Sequence, residues 1–331
     1  MQKINAQKRR TLAALSLVSS QPSNDVPETL PDAVFDGSDA AVERFIDAAK
    51  SEATKRAYAL DIRMFLAAGG TVPCSPVVLT KYLASAAEKL SVQTLERRII
   101  AINLAHTEIS APSPTKNIRV RQVMAGIRRV KTTKQRQVTA LVKDDLLRAL
   151  VLLEQQLNPM KILRDRALLL VAFAGAFRRS ELVAIRTEHI TRHATGLDIE
   201  IPRSKTDQTG EGQCVHIPVG SSERVCPVRA LDAWIATAQI DGVVFRNVDR
   251  HGNVGDSLTD HAVARIVKES VARAGLDASQ YSAHSTRSGY ATTAAVTLMP
   301  QQIMETTRHK SMATLQRYIQ PVMRRKIPSL L

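Results

Sequence analysis

The sequence predicts a mainly α-helical protein with a small antiparallel β-sheet, divided into a helical first half and an α+β second half. Three observations support this. Apolar residues recur at three- and four-residue steps early in the chain, as in Val42, Phe45 and Ile46. No strand-like alternation interrupts the first half. In the second half, apolar and acidic residues alternate over residues 197–201, which is typical of a strand.

The first half is expected to form five helices behind an irregular tail. Residues 1–38 lack sustained periodicity, and we expect a flexible segment there. Ser51 is a suitable N-cap for the second helix, and a Gly-Gly pair at residues 69–70 ends it. The helices are expected from about residue 41, after residue 51, over 76–89, from about 91, and over 116–130.

The second half changes period once. Strand 197–201 is followed by a polar, glycine-containing turn over residues 204–212 and by a return strand with Val215 and Ile217, which predicts a β-hairpin. Helices are expected over 143–156, 164–177 and 179–186, and again from 227 to the end with a break around 247–257.

Length and charge limit the possible partners. The 331 residues suffice for two domains, and 46 Lys+Arg against 31 Asp+Glu give a formal charge of +15. Such a balance favours a polyanion, with nucleic acid first and an acidic membrane surface second. Aromatic residues make up only 4% of the chain and form no stacking platform, which argues against an RNA-binding protein.

The cysteines and apolar runs indicate a cytoplasmic protein with no membrane partner. Cys74, Cys214 and Cys226 lack metal-ligand spacing, and their odd number suits a reducing compartment. No signal peptide is evident at the N-terminus. The longest apolar stretch, residues 167–177, is too short to span a bilayer.

Residues 116–136 contain eight basic residues and no acid, whereas a solvated helix face usually mixes both signs. The end of this segment, residues 131–137, has the composition of a linker. It could follow a phosphate backbone, or it could simply be solvated. The candidate DNA-binding residues are Lys116, Arg119, Arg121, Arg128, Arg129, Lys131, Lys134 and Arg136.

Four fragments of the second half carry reactive groups, and each also fits an ordinary structural role. Arg178 and Glu181 are three apart and can pair on a helix. Lys205 lies at the tip of the predicted hairpin, where a solvated lysine would be unremarkable.

The third and fourth fragments combine imidazole, guanidinium and phenol groups. His284 and Arg287 are one helical turn apart, so a titratable ring and a forked phosphate ligand would share a face. His309 precedes Tyr318 by nine residues in a basic neighbourhood. Alone, this histidine pattern could be a helix cap and this tyrosine a core residue.

In this order and spacing, the four fragments resemble the tyrosine recombinase, or phage integrase, family. The resemblance covers residues 138–325 and includes Arg178, Glu181, Lys205, His284, Arg287, His309 and Tyr318. Counting back from Glu181 selects Arg178 over Arg179, and Thr286 stands where leucine is commoner. A weaker resemblance to the first helices of the family's core-binding domain involves Ser51, Thr54, Tyr58, Asp61 and Phe65.

The resemblance implies a DNA strand-exchange chemistry without cofactor or metal. Tyr318 would attack a phosphodiester and form a 3′-phosphotyrosyl intermediate. Arg178, oriented by Glu181, and Arg287 would stabilise the transition-state charge. The other implied roles are proton acceptor for His284, hydrogen-bond donor for His309 and proton donor to the leaving oxygen for Lys205.

The resemblance also implies an assembly. The simple two-domain recombinases, such as the Xer and Cre types, hold two DNA duplexes in a tetramer and act on short inverted-repeat core sites. The implied divisions are a tail (1–38), a helical core-binding domain (39–130), a basic linker (131–137), an α+β catalytic domain (138–326) and a C-terminal tail (327–331). That last tail would either dock on a neighbouring protomer or be frayed. A type IB topoisomerase and a catalytically silent DNA-binding protein on the same fold are the alternatives.

Overall fold

The computed structural model describes residues 39–131, 138–202 and 212–325. Predictions for Lys134, Arg136 and Lys205, and for both tails, lie outside these residues. The described residues form two compact units, 39–131 and 138–325, with the division after residue 135. The chain is mainly helical with small antiparallel sheets, which confirms the predicted fold class. Within the described ranges, none of the helices has the length and apolarity needed to cross a membrane.

The first unit is built from helices whose starts are set by serine caps. Ser51, Ser75 and Ser91 each accept a hydrogen bond from the backbone N–H three residues ahead, at 3.3, 3.3 and 3.2 Å. The helices are α1 (Asp39–Ala48), α2 (Glu52–Ala67), α3 (Pro76–Ala87), α4 (Val92–Glu108) and α5 (Ile118–Val130). Gly69 has a φ of +85°, so the predicted glycine stop lies where the chain leaves α2.

The core of the first unit joins helices α2 to α5. Its buried members are Phe65, Leu79, Leu83, Ala87, Leu95, Ile102, Val120 and Met124. Asp61 is also buried, and its carboxylate lies 2.6 Å from Arg97 Nε and 3.3 Å from Arg98 Nε. This buried charge is therefore balanced by α4. The apolar residues that predicted α1 remain largely exposed.

The second unit combines eight helices with five strands in the residues described. They are α6 (Lys143–Leu153), α7 (Pro159–Ala174), α8 (Arg179–Val183), β1 (Ile190–His193), β2 (Gly196–Ile201), β3 (Gln213–Pro218), α9 (Pro227–Thr237), β4 (Arg246–Val248), β5 (Val254–Ser257), α10 (Asp260–Arg273), α11 (His284–Ala294), α12 (Pro300–Thr307) and α13 (Met312–Arg325).

The predicted hairpin is the β2–β3 pair, which lies in an antiparallel sheet of order β1-β2-β3. Its alternating residues Leu197, Ile199 and Ile201 are buried, as the pattern predicts. The sequence did not reveal β1 or the β4–β5 pair, because three or four residues are too few to show alternation. Helix α7 begins five residues earlier than predicted, because Asn158 caps it.

Two apolar clusters hold the second unit together. In the larger one, α7 and α9 pack against β3, and the fully buried Trp234 donates a hydrogen bond from Nε1 to the Val244 oxygen at 2.8 Å. The smaller cluster packs α11, α12 and α13 against one another. Its buried members are Ala291, Ala295, Ile303, Leu315 and Ile319.

The segment before α6 is fixed to α11 across a long stretch of sequence. Leu141 donates its N–H to the Ser285 oxygen at 2.9 Å, and Lys143 donates its N–H to Thr293 Oγ1, 150 positions away, at 3.1 Å. Gly289 permits this contact, because a Cβ there would lie 1.8 Å from the Leu141 oxygen. The beginning of the unit is therefore joined to the helix that carries His284 and Arg287.

Candidate active site

Arg178 and Glu181 lie where α7 turns into α8. Arg178 is the N-cap of α8, not a residue within it. Its backbone N–H donates to Glu181 Oε2 at 2.9 Å, and its Nη1 donates to Oε1 at 2.6 Å. The carboxylate is buried and holds the guanidinium in one orientation. The adjacent Arg179 instead lies 3.1 Å from Asp260, so the geometry favours Arg178 as the site arginine.

Arg287 lies on α11 and is almost completely buried. Its Nη1 donates to the Ala176 oxygen at 2.6 Å, and its Nη2 donates to the Thr307 oxygen. Burial, together with the charges of Arg178 and Arg308, lowers the pKa of Arg287 to about 9. Its guanidinium remains charged at neutral pH and is fixed between two turns of backbone.

His284, at the start of α11, contacts Tyr318 on α13. His284 Nε2 lies 2.9 Å from Tyr318 Oη. Burial, followed by the charges of Arg287 and Arg178, lowers the pKa of His284 below the usual histidine value. The ring is therefore neutral near pH 7, and its Nε2 can accept the phenol proton.

His309 also contacts the tyrosine. Its ring stacks on that of Tyr318, with centroids 5.7 Å apart and planes inclined by 16°. Burial and the nearby arginines lower the pKa of His309 to about 3, so this ring is neutral too. The Thr307 hydroxyl donates to the Ile303 oxygen at 2.7 Å and lies 2.8 Å from His309 Nδ1. Because the hydroxyl proton is used on Ile303, the Thr307 oxygen accepts a hydrogen bond from His309. The proton of the neutral ring is therefore on Nδ1, and Nε2 is an acceptor.

Arg308 is a buried member of the site that the sequence analysis missed. Its Nη2 donates to Glu181 Oε2 at 2.8 Å, and its Nη1 donates to the Thr306 oxygen at 2.7 Å and to the Gly175 oxygen at 3.1 Å. The guanidinium carbon lies 5.3 Å from the centre of the Phe177 ring. Its only sequence signal is adjacency to His309, which does not show where the side chain points.

The charges of the site favour an anion. Three guanidinium groups, from Arg178, Arg287 and Arg308, surround one carboxylate. Burial alone would raise the pKa of Glu181, but Arg308 and Arg178 outweigh it and hold that pKa below the usual value. Because Glu181 is ionised and both histidines are neutral, these described residues of the site carry two net positive charges.

The structure brings together six of the seven residues that the motifs selected. They are Arg178, Glu181, His284, Arg287, His309 and Tyr318. The seventh, Lys205, falls outside the described residues.

The candidate DNA-binding residues of the first unit lie on or beside α5. Five of them are exposed: Lys116, Arg119, Arg121, Arg128 and Arg129. Arg128 already has a partner, since its Nε lies 2.8 Å from Glu96. Lys131 is half-buried, and its Nζ donates to the Leu90 oxygen at 2.8 Å. Phosphate contacts by these two residues would compete with contacts inside the unit.

Comparisons with known proteins show the family to which the chain belongs. The phage integrase family model matches residues 141–325. An integrase/recombinase xerD homolog from Selenomonas ruminantium is 38% identical over 84% of this chain and 84% of its own. The XerH site-specific recombinase, bound to a palindromic difH substrate in a post-cleavage complex, has a TM-score of 0.61 at 18% identity and covers 82% of this chain and 77% of its own.

A lambda integrase dimer bound to a COC′ core site also has a TM-score of 0.61, at 16% identity, over 88% of this chain and 78% of its own. At these identities the two structures show a shared fold. The family model spans more than half of the chain, and the xerD homolog exceeds one third identity over most of it. The chain therefore belongs to the phage integrase family, the tyrosine recombinases.

Proposed function

We propose that this protein is a site-specific recombinase that cleaves and rejoins double-stranded DNA through a covalent bond to Tyr318. Family membership supports the reaction class. One observation carries the assignment of the nucleophile: Tyr318 Oη is 2.9 Å from the Nε2 of His284, a ring that is neutral and can accept its proton. A free tyrosine phenol has a pKa of about 10, so attack at neutral pH needs such an acceptor.

The proposed cleavage step exchanges one phosphoester for another. The oxygen of Tyr318 forms a bond to phosphorus while its proton passes to His284. The bond from phosphorus to the 5′ oxygen breaks, and that oxygen takes a proton from Lys205. The products are a 3′-phosphotyrosyl bond and a free 5′ hydroxyl. A 5′ hydroxyl from another strand reverses the step, so no external energy source is needed.

The guanidinium groups account for the stabilisation of the transition state. A phosphodiester attacked by a phenolate carries two negative charges, and the three arginines and Glu181 together carry two net positive charges. Arg178 and Arg287 are held by the protein before DNA arrives, so little reorganisation is needed during the reaction. In this proposal no metal ion takes part, because the arginines supply the positive charge.

His309 has a more restricted role than its motif position suggests. With its proton on Nδ1, its Nε2 cannot donate to a phosphate oxygen. A bound phosphate next to the ring favours protonation of Nε2, because an opposite charge stabilises the imidazolium. We therefore propose that His309 becomes a donor only in the DNA complex.

The proposed assembly follows the relatives. The XerH and lambda integrase structures contain DNA, the latter with a dimer of protein. We propose that residues 39–130 form a core-binding domain, that the basic stretch 116–136 follows the phosphate backbone, and that residues 138–326 form the catalytic domain. Four protomers would join two inverted-repeat sites, with residues 327–331 docking on a neighbour.

Covalent trapping tests the proposed function. DNA duplexes that bind the protein are first selected from a pool with a randomised centre. The selected duplexes are then nicked near the bound position and incubated with the protein again. We expect denaturation-resistant protein–DNA adducts, all linked to Tyr318, and none with Tyr318→Phe. Adducts that persist in that variant would overturn the nucleophile assignment. Relaxation of a plasmid that lacks the selected site would indicate a topoisomerase instead.

A further inference from the structure

The backbone of Arg308 is unusual for its residue type. Arg308 ends α12 in the left-handed region, with φ +55° and ψ +42°, where a side chain is disfavoured and glycine fits best. Despite this, a long and charged residue occupies the position and is 9% exposed. Such a combination indicates that the side chain contributes something that glycine could not.

The side chain of Arg308 connects two turns that are far apart in the sequence. From the turn before His309 it reaches back to the oxygen of Gly175, 133 positions away, and packs against the ring of Phe177. In the opposite direction, Arg178 Nη2 donates to the Arg308 oxygen at 3.4 Å. Together with Arg287, Arg308 therefore holds the turn that carries Arg178 against the turn that carries His309.

The charge balance shows what this connection does to Arg178. Glu181 Oε2 accepts a hydrogen bond from Arg308 Nη2 at 2.8 Å, and Glu181 Oε1 accepts one from Arg178 Nη1 at 2.6 Å. Without Arg308, Arg178 would be the one arginine of the described site in direct contact with the carboxylate, and the described residues would keep only one net positive charge. We propose that Arg308 is a positioning residue: it neutralises Glu181 and leaves the charge of Arg178 available for the phosphate that Tyr318 attacks.

This inference rests on the proposed function, and its test is the rate of adduct formation on a nicked duplex from the selection above, at saturating protein. For Arg308→Met and Arg308→Gly we expect that rate to fall by about 10- to 100-fold, because a displaced arginine no longer meets the phosphate. The affinity for the intact duplex should change less than about threefold, since most phosphate contacts lie elsewhere. Arg265→Met is the matched control, because Arg265 forms an exposed pair with Glu269.

Arg308→Gly separates positioning from folding. Glycine suits the left-handed backbone, so this variant should melt at or above the temperature of Arg308→Met and still cleave slowly. Added guanidinium ion, at concentrations well below those that unfold the protein, should restore part of its rate and should not accelerate Arg265→Met.

A double variant tests whether Arg308 acts through Glu181. Arg308→Gly combined with Glu181→Gln should be no slower than the slower single variant, because both changes disturb the same unit. If Arg308→Gly cleaves at the normal rate, or if the two effects multiply, the proposal is wrong. If the unaltered protein forms no adduct at all, the proposed function fails, and that result is distinct from a failure of this inference.

Discussion

The two apolar clusters of the second unit support the reacting groups very differently. The larger cluster contains over thirty buried residues from most helices and the three-stranded sheet. The turn carrying Arg178 is attached to it, because the preceding residue, Phe177, is a member of the cluster. The smaller cluster has five buried residues, two of them alanines, and carries the helix of Tyr318. Arg178 is thus attached to the larger cluster, and Arg287, which lies on α11, is bound to the same turn through the Ala176 oxygen. The helix of the nucleophile is held by few buried side chains.

Removing the largest side chain of the main cluster should have the largest effect. Trp234→Ala should lower the free energy of unfolding by about 3–5 kcal/mol, because it deletes a fully buried ring and leaves the Val244 oxygen without its donor. Urea unfolding followed by circular dichroism measures this. Phe45→Ala, at an exposed position of the first unit, should change stability by less than about 0.5 kcal/mol. Equal losses of unfolding free energy in both variants would show that Trp234 is not more deeply buried than Phe45.

A truncation in the smaller cluster should separate stability from activity. Leu315→Ala should cost about 2 kcal/mol, near the lower limit for buried leucine, because a small cluster can partly collapse around the gap. Its adduct rate should fall even under conditions where the protein remains folded, because the helix of Tyr318 loses a buried contact that holds it in place. Gln316→Ala, exposed on the same helix, is the control. If the Leu315→Ala adduct rate stays normal, the cluster does not position the nucleophile.

The smallest expected effect is in the pH dependence. The pKa of His284 is lowered, so the ring stays neutral and able to accept a proton as the pH falls from 8 to about 6.5, the ordinary histidine value. The adduct rate at subsaturating DNA, which reports the free protein, should remain flat over that range and decline only below it. His284→Gln should be slow at every pH. A half-maximal rate at or above pH 6.5 would contradict the assignment.

The sequence predicted the parts of the fold that repeat a pattern. The Ser51 cap, the helices of the first unit and the β2–β3 hairpin follow from local periodicity and capping. The short strands β1, β4 and β5 were missed, because their pairing depends on tertiary contacts and not on a pattern within the strand.

The residues of the site were likewise only partly predictable from the sequence. The spacing of His284 and Arg287, and the order of the fragments, were enough to select residues that the fold brings together. Arg308 could not be selected, because its importance comes from a left-handed backbone and from carbonyl groups more than a hundred positions away. The proton arrangement of His309 likewise depends on hydrogen bonds to Thr307 and from Thr307 to the Ile303 oxygen, which the spacing of a motif does not show.

The hydrogen bonds that join Leu141 to Ser285 and Lys143 to Thr293 have a consequence for synthesis. A ribosome adds residues in order, so the first residues of the second unit leave the exit tunnel long before α11 exists. Until then the Leu141 N–H and the Lys143 N–H lack the partners that α11 supplies. The unit therefore cannot close while the chain is growing, and a nascent or truncated chain that ends before Ser285 should lack a formed catalytic pocket.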